Sequence, residues 1–207
     1  MHKNNFKNIL FFFNKFFLIY LFFLFEVTAS EITKSNNLVV LGPNNAPIKI
    51  KIFSSLTCPH CADFHKKVVP EIEKNYIKSG KVQLIFIDFP LDQIAFNASK
   101  LLHCLDKKKQ ISFLDNIYEN QNQWTNGSSV EEVNNNLRAI VKIMGISTIK
   151  FDECINNKVI SDKILNGRIE GQEKYSINST PTIIINEKKL EGSVSFKNIK
   201  KKIEKLI

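Results

Sequence analysis

The chain has 207 residues, a formal charge of +9 and four cysteines. Once the first thirty residues are set apart, that length suits one domain with a sizeable core. The positive charge is spread as lysine over helical segments rather than clustered with aromatic residues. This argues against a nucleic-acid-binding surface, and no nucleic-acid partner is expected.

The N-terminus reads as a targeting segment. Lys3, Lys7 and Lys15 surround the start of an apolar stretch that runs from Phe16 to Phe25, with no acid before Glu26. The run is too short for the ~20 apolar residues of a spanning helix and fits an export signal. Val27, Ala29 and Ser30 supply the small residues of a cleavage site. Residues 1–29 are therefore expected to be a signal peptide, with an uncleaved membrane anchor as the alternative. Without Lys3, Lys7, Lys15 and Glu26 the charge falls to +7. Export also sets the redox compartment: cysteines outside the cytoplasm tend to be paired, and four is an even number.

A short apolar run, Asn36 to Gly42, is stopped by the turn cluster "GPNNAP". Ile48 to Phe53 alternates and is β-branched, so it predicts a strand. The stretch "CPHCADFHKKVVPEIEKNYIK" then carries Ala62, Phe64, Val68, Val69, Ile72 and Tyr76 at helical spacing, with Pro70 as a kink and Gly80 as a C-cap. Val82 to Phe89 predicts a strand buried on both faces, which makes a βαβ unit with a parallel pair. From Leu91 to about Gly171 the pattern is helical. The clearest segments are Ile94–Leu105, Ile111–Gln121 and Val130–Met144, the last capped by Ser128 or Ser129. "STIKFDECINN" and the segment from Val159 predict further helices. Ser179 to Asn186 predicts a strand, "NEKK" a hairpin turn, "LEG" a short strand, and the residues from Val194 a final amphipathic helix. The result is an α/β sheet split by an inserted helical block.

The informative motif is Cys58-Pro59-His60-Cys61. A c-type haem site would need His directly after the second cysteine, where Ala62 stands. Zinc could take Cys58, Cys61 and His65, but no second C-x-x-C or H-x-x-x-H supplies a fourth ligand. A plain staple across so short a loop restrains the unfolded chain little. Redox exchange remains, and local geometry favours it. Proline is preferred at the first helical position, which puts Cys58 at the N-cap. There the unpaired N–H groups and the positive end of the helix dipole favour an anionic sulfur, and a protonated His60 adds to this. Every ~1.4 kcal/mol of that preference makes the disulfide roughly 30 mV more oxidising. Cys61, one turn in, is expected to be buried and to act as the resolving thiol.

With "STPT" ahead of the last long strand, the sequence resembles the DsbA family of thiol:disulfide oxidoreductases. "GPNNAPIKIKIFSSLTCPHCADFH" resembles that family's first strand and active site, and "STPTIIIN" resembles its cis-proline loop. The resemblance implies a thioredoxin-like fold with an inserted helical domain: 30–90 and 171–207 as the two thioredoxin-like parts and 91–170 as the insert. It implies Cys58 and Cys61 as catalytic residues, Pro59 and His60 as tuning residues, and Thr180 and Pro181 as the substrate-binding loop. No cofactor and no metal are expected. The implied partners are reduced exported proteins and a quinone-linked membrane reoxidase, in the periplasm.

Two departures matter. Many relatives carry a buried acid six residues before the first active-site cysteine, where this chain has Ile52. Thr180 before the proline is shared with isomerases, so protein disulfide isomerase or reductase activity is the alternative; a non-catalytic chaperone or zinc-binding module stands behind both. Only Ser30 to about Asn37 precedes the first strand, too little for the oligomerising stalk of isomerases, so a monomer is expected. Cys104 and Cys154, on predicted helices of the insert, are expected to form a structural disulfide, with free buried thiols as the alternative. His65 and His103 read as ordinary helix residues, and Trp124 as packing within a loop-like stretch.

Overall fold

The computed structural model describes residues 38–207, so the expected signal peptide lies outside the described residues. The sheet is built on β2 (Ile48–Ser54), whose Ile48, Ile50 and Ile52 are buried while Lys49 and Lys51 between them are half-exposed. Strand β1 (Val39–Leu41) precedes it. Strand β3 (Val82–Asp88) runs parallel to β2, in register from Ile48 opposite Val82 to Ser54 opposite Asp88. On the other side of β2 lies β4 (Thr182–Ile185), antiparallel; β5 (Lys188–Lys189) flanks it, and the strand order is β1-β3-β2-β4-β5. β2 is therefore paired on both edges, and its C-terminal end delivers the chain to the CPHC stretch.

Helix α1 (Pro59–Lys67) follows that loop and stops at Val68, two residues before Pro70. The chain resumes at once as α2 (Val69–Ile72) and a π-helical turn (Glu73–Ile77), so the expected kink is a short break. The cause is the proline's missing N–H. Between β3 and β4 come α3 (Gln93–Cys104), α4 (Lys107–Glu119), α5 (Gln121–Trp124), α6 (Val130–Ile143), α7 (Thr148–Ile155) and α8 (Lys158–Tyr175). Asp92 caps α3 and Ser129 caps α6; the Glu132 carboxylate in turn accepts the Ser128 N–H at 2.8 Å, a reciprocal cap. Cys104 of α3 and Cys154 of α7 are joined by a disulfide, with Cα atoms 5.7 Å apart.

Three details differ from the sequence reading. Trp124 ends the short helix α5, fully buried, with its indole N–H donated to the Ile117 carbonyl at 2.8 Å. Polar neighbours made that stretch resemble a loop; burial of one large ring decides otherwise. The last short strand is Lys188–Lys189, not Leu190–Gly192, because the chain reverses over Asn186 and Glu187 alone, both at positive φ. Glu187 is held there by Lys51, Lys174 and Tyr175. Helix α8 runs through residue 170 to Tyr175, so the expected boundary between insert and second part falls inside a helix.

The final helix, α9 (Phe196–Ile203), buries Ile199 and Ile203 beside α2. One apolar cluster joins Ile50, Ile52, Leu84 and Phe86 of the sheet with Cys61 and Phe64 of α1, Phe113 and Tyr118 of α4, and Trp124 and Phe151 of the helical block. A smaller cluster, Phe53, Phe89, Ile177 and Ile184, lies apart from it and is covered by Ile87 and Tyr175. Helix α8 reaches this second cluster only because of Gly171: a Cβ there would sit 2.5 Å from the Phe53 ring. We predict that Gly171→Ala destabilises the protein by about 1–3 kcal/mol in urea unfolding, despite alanine's better helix propensity.

Candidate active site

The loop from Ser55 to Thr57 turns β2 into α1. The Cys58 N–H closes that turn on the Ser55 carbonyl at 3.2 Å, and Cys58 stands at the N-cap with Pro59 beginning the helix. The N–H groups of Cys61 and Ala62 both return to the Cys58 carbonyl at 3.1 Å. The Cys58 side chain makes no capping bond, so its sulfur meets the helix's positive end through the dipole and not through an N–H contact. Both cysteines are free thiols, and Cys58 donates its S–H to the Thr180 carbonyl at 3.4 Å. The Thr180–Pro181 peptide is cis, and it brings a residue 122 positions away against the sulfur.

The two sulfurs differ in access. Cys58 is 8% exposed and Cys61 2%. Burial pushes the Cys61 thiol up to about 12, although the Thr180 side chain and the Ser55 backbone pull the other way. Such a thiol is neutral at physiological pH, whereas the outer sulfur is the one an incoming sulfur meets first. His60 is exposed on α1. It lines a groove of about 490 Å³ with Phe64, Lys67, Thr180, Pro181 and Phe196, alongside the cysteine pair.

The helical block supplies supports that sequence reasoning missed. Gln121, fully buried at the start of α5, donates its amide to the carbonyls of Leu56 at 2.8 Å and Cys58 at 3.1 Å. Thr57 donates to Asp92 at 2.6 Å, the same carboxylate that caps α3. In sequence Gln121 was only the polar end of a predicted helix, with no pattern to mark it.

Near the site lies a half-buried charge cluster. Ile52 is apolar and buried, but Asp88, opposite Ser54 at the end of β3, holds His103 Nε2 at 2.5 Å. Lys163 donates to the other ring nitrogen at 3.3 Å. Burial opposes ionisation of Asp88, yet His103, Ser99 and Lys163 together hold its carboxyl below the usual range. His65, the zinc candidate, is buried too; its Nε2 meets Asp115 at 2.7 Å and its ring packs on Tyr118 at 4.9 Å. Among the described residues, no three His, Cys, Asp or Glu side chains converge as a metal site.

A strand, a dithiol at a helix start and a cis-proline ahead of an antiparallel strand define the thioredoxin class of thiol:disulfide oxidoreductase. Residues 34–205 match the family model described as thioredoxin, and the chain belongs to that family, in its DsbA group. It is similar to the crystal structure of Wolbachia pipientis alpha-DsbA1, with a TM-score of 0.75 and 32% identity over 82% of this chain and 90% of that one. It is 27% identical to the Bacillus subtilis disulfide bond formation protein D over 80% of this chain and 75% of that protein. A Rickettsia prowazekii relative named as a protein-disulfide oxidoreductase is 28% identical over 88% of this chain, which spans 66% of that protein's length.

Replacing Gln121 by Leu leaves the Leu56 carbonyl without its donor and takes one of three hydrogen bonds from the Cys58 carbonyl; we expect a loss of about 1–3 kcal/mol in urea unfolding. Asp88 gives a pH signature. Because its folded pKa is depressed, its contribution is complete above about pH 4 and is lost as pH falls through the folded value. Asp88→Asn should therefore be less stable than the parent at pH 7, with the gap closing in the acid range when unfolding is followed at both pH values.

Proposed function

We propose that this protein oxidises cysteine pairs of exported proteins by giving them the Cys58–Cys61 disulfide. The observation that carries the reading is the contrast between the two sulfurs: Cys58 at a helix N-cap against the cis-proline loop, and Cys61 buried behind it with its thiol pushed up to about 12. A substrate thiolate attacks Cys58. That breaks the Cys58–Cys61 bond and releases Cys61 as a thiolate; the second substrate thiol, giving its proton to Cys61, then resolves the mixed disulfide and releases Cys58.

Pro59 and His60 tune this exchange, the first by starting the helix and the second by placing a titratable ring on the rim. The backbone of Thr180, ahead of Pro181, holds an extended substrate segment as an added strand would. The groove beside it, about 490 Å³, supports the same role. Residues 30–90 and 171–207 act as the redox module and 91–170 as its brace. The Cys104–Cys154 bridge is structural: it closes a separation of 50 residues, worth about 4 kcal/mol through the unfolded chain. Residues 1–29 export the chain to the periplasm, where a quinone-linked membrane partner reoxidises it.

Equilibration with glutathione tests the direction. The expected potential is far more oxidising than the roughly −270 mV of thioredoxin, and a value near that figure overturns the oxidase reading. In parallel, a reduced substrate should gain its disulfides in stoichiometric exchange with the oxidised protein. Activity confined to scrambled substrates would make it an isomerase.

A further inference from the structure

The exchange leaves a chemical difficulty at Cys61. When a substrate thiolate bonds to Cys58 Sγ, the Cys58–Cys61 bond breaks and its electron pair departs on Cys61 Sγ. That sulfur is 2% exposed, in surroundings that disfavour its anion. The proton it finally takes is the one the second substrate thiol loses before attacking the mixed disulfide; Cys58 then leaves as the thiolate and the balance closes. Between these events a negative sulfur stands in an apolar core, and Ile52 on the strand beneath it offers nothing.

The Ser55 backbone and the Thr180 hydroxyl favour the anion from one side, and a second buried hydroxyl without a partner lies nearby. Tyr118 of α4 is buried with the same cluster, and its hydroxyl has no hydrogen-bond partner. A buried hydroxyl without a partner costs stability that phenylalanine would not. Its placement is specific. His65, one turn beyond Cys61 on α1, bonds Asp115, one turn before Tyr118 on α4, and stacks on the Tyr118 ring. This clasp sets α4 against α1 with Tyr118 alongside the cysteine pair. The phenol lies within electrostatic reach of Cys61, Asp88 and Cys58, with Ser54 close by but outside hydrogen-bonding geometry. Burial raises its own ionisation well above the ordinary range, so it serves as a donor and not as an acid.

We propose that the Tyr118 hydroxyl hydrogen-bonds the sulfur departing from Cys58, stabilising the transient Cys61 thiolate in both directions of exchange. The inference rests on the dithiol reading above. A donor used only in the transition state changes rates and not the equilibrium.

The test is stopped-flow reduction of the oxidised protein by glutathione, and the reverse oxidation, for the parent and for Tyr118→Phe. The variant should react about ten-fold more slowly both ways, as expected for loss of a hydrogen bond to a charged group. Its equilibrium constant with glutathione should change less than about two-fold, and its thermal midpoint should not fall. Incorporating 3-fluorotyrosine at position 118, a stronger donor of nearly the same shape, should keep the parental rate or exceed it. Unchanged rates in Tyr118→Phe overturn the proposal, as does a slow fluorotyrosine protein or a slowing that tracks lost thermal stability. A parent disulfide inert to glutathione would instead defeat the redox reading itself.

Discussion

The Cys58 sulfur sits 3.4 Å from the carbonyl of Thr180, and the site depends on that contact. One partner is the N-cap of a helix and the other the last residue before a cis-proline, and 122 positions separate them. Neither segment can do the chemistry alone. The helix start supplies an electropositive end for sulfur. The proline loop supplies the carbonyl that meets it. The central strand makes the meeting possible, because β2 pairs with β4 on one edge and ends in the loop that leads to Cys58.

The helical block is part of this machinery and not merely packed against it. Gln121 holds two carbonyls of the active-site loop, and Asp92 joins Thr57 to the cap of α3. Helix α4 presses Tyr118 and the His65 clasp against α1. The apolar cluster is continuous from Ile50 and Leu84 to Trp124 and Phe151, so the redox site is supported by a shared core. A loop that must expose a reactive sulfur is thereby kept from relaxing, since its carbonyls are paired from behind.

Polarity around the site is unevenly distributed. Cys61 lies in apolar surroundings that keep its thiol neutral. Asp88, His103 and Lys163 form a half-buried, satisfied charge cluster at the end of β3. Buried charges are tolerated when they are paired, and this cluster sits where α3 and α8 meet the sheet. The unpaired hydroxyls of Tyr118 and Thr180 set the region apart from an ordinary core.

Local chemistry made much of this legible before any coordinates. Alternation in Ile48 to Phe53, proline after Cys58 and the helical period after Cys61 each act over a few residues, so the strand, the N-cap and the helix follow from sequence alone. The Cys58–Cys61 motif and the Thr-Pro pair are visible for the same reason. Gln121, Asp88, His103 and Tyr118 carried no such mark, because a side chain that acts on a residue 15 to 65 positions away leaves no periodic trace. Trp124 packs as expected, but the short helix it ends and the tightness of the turn at Asn186 were not legible: burial of the ring decides the first, and the contacts of Glu187 with Lys51 and Lys174 the second. Sequence by itself determined the redox pair and its helix; only the tertiary structure decided what stands behind the inner sulfur, since that depends on which distant helices the shared core brings together.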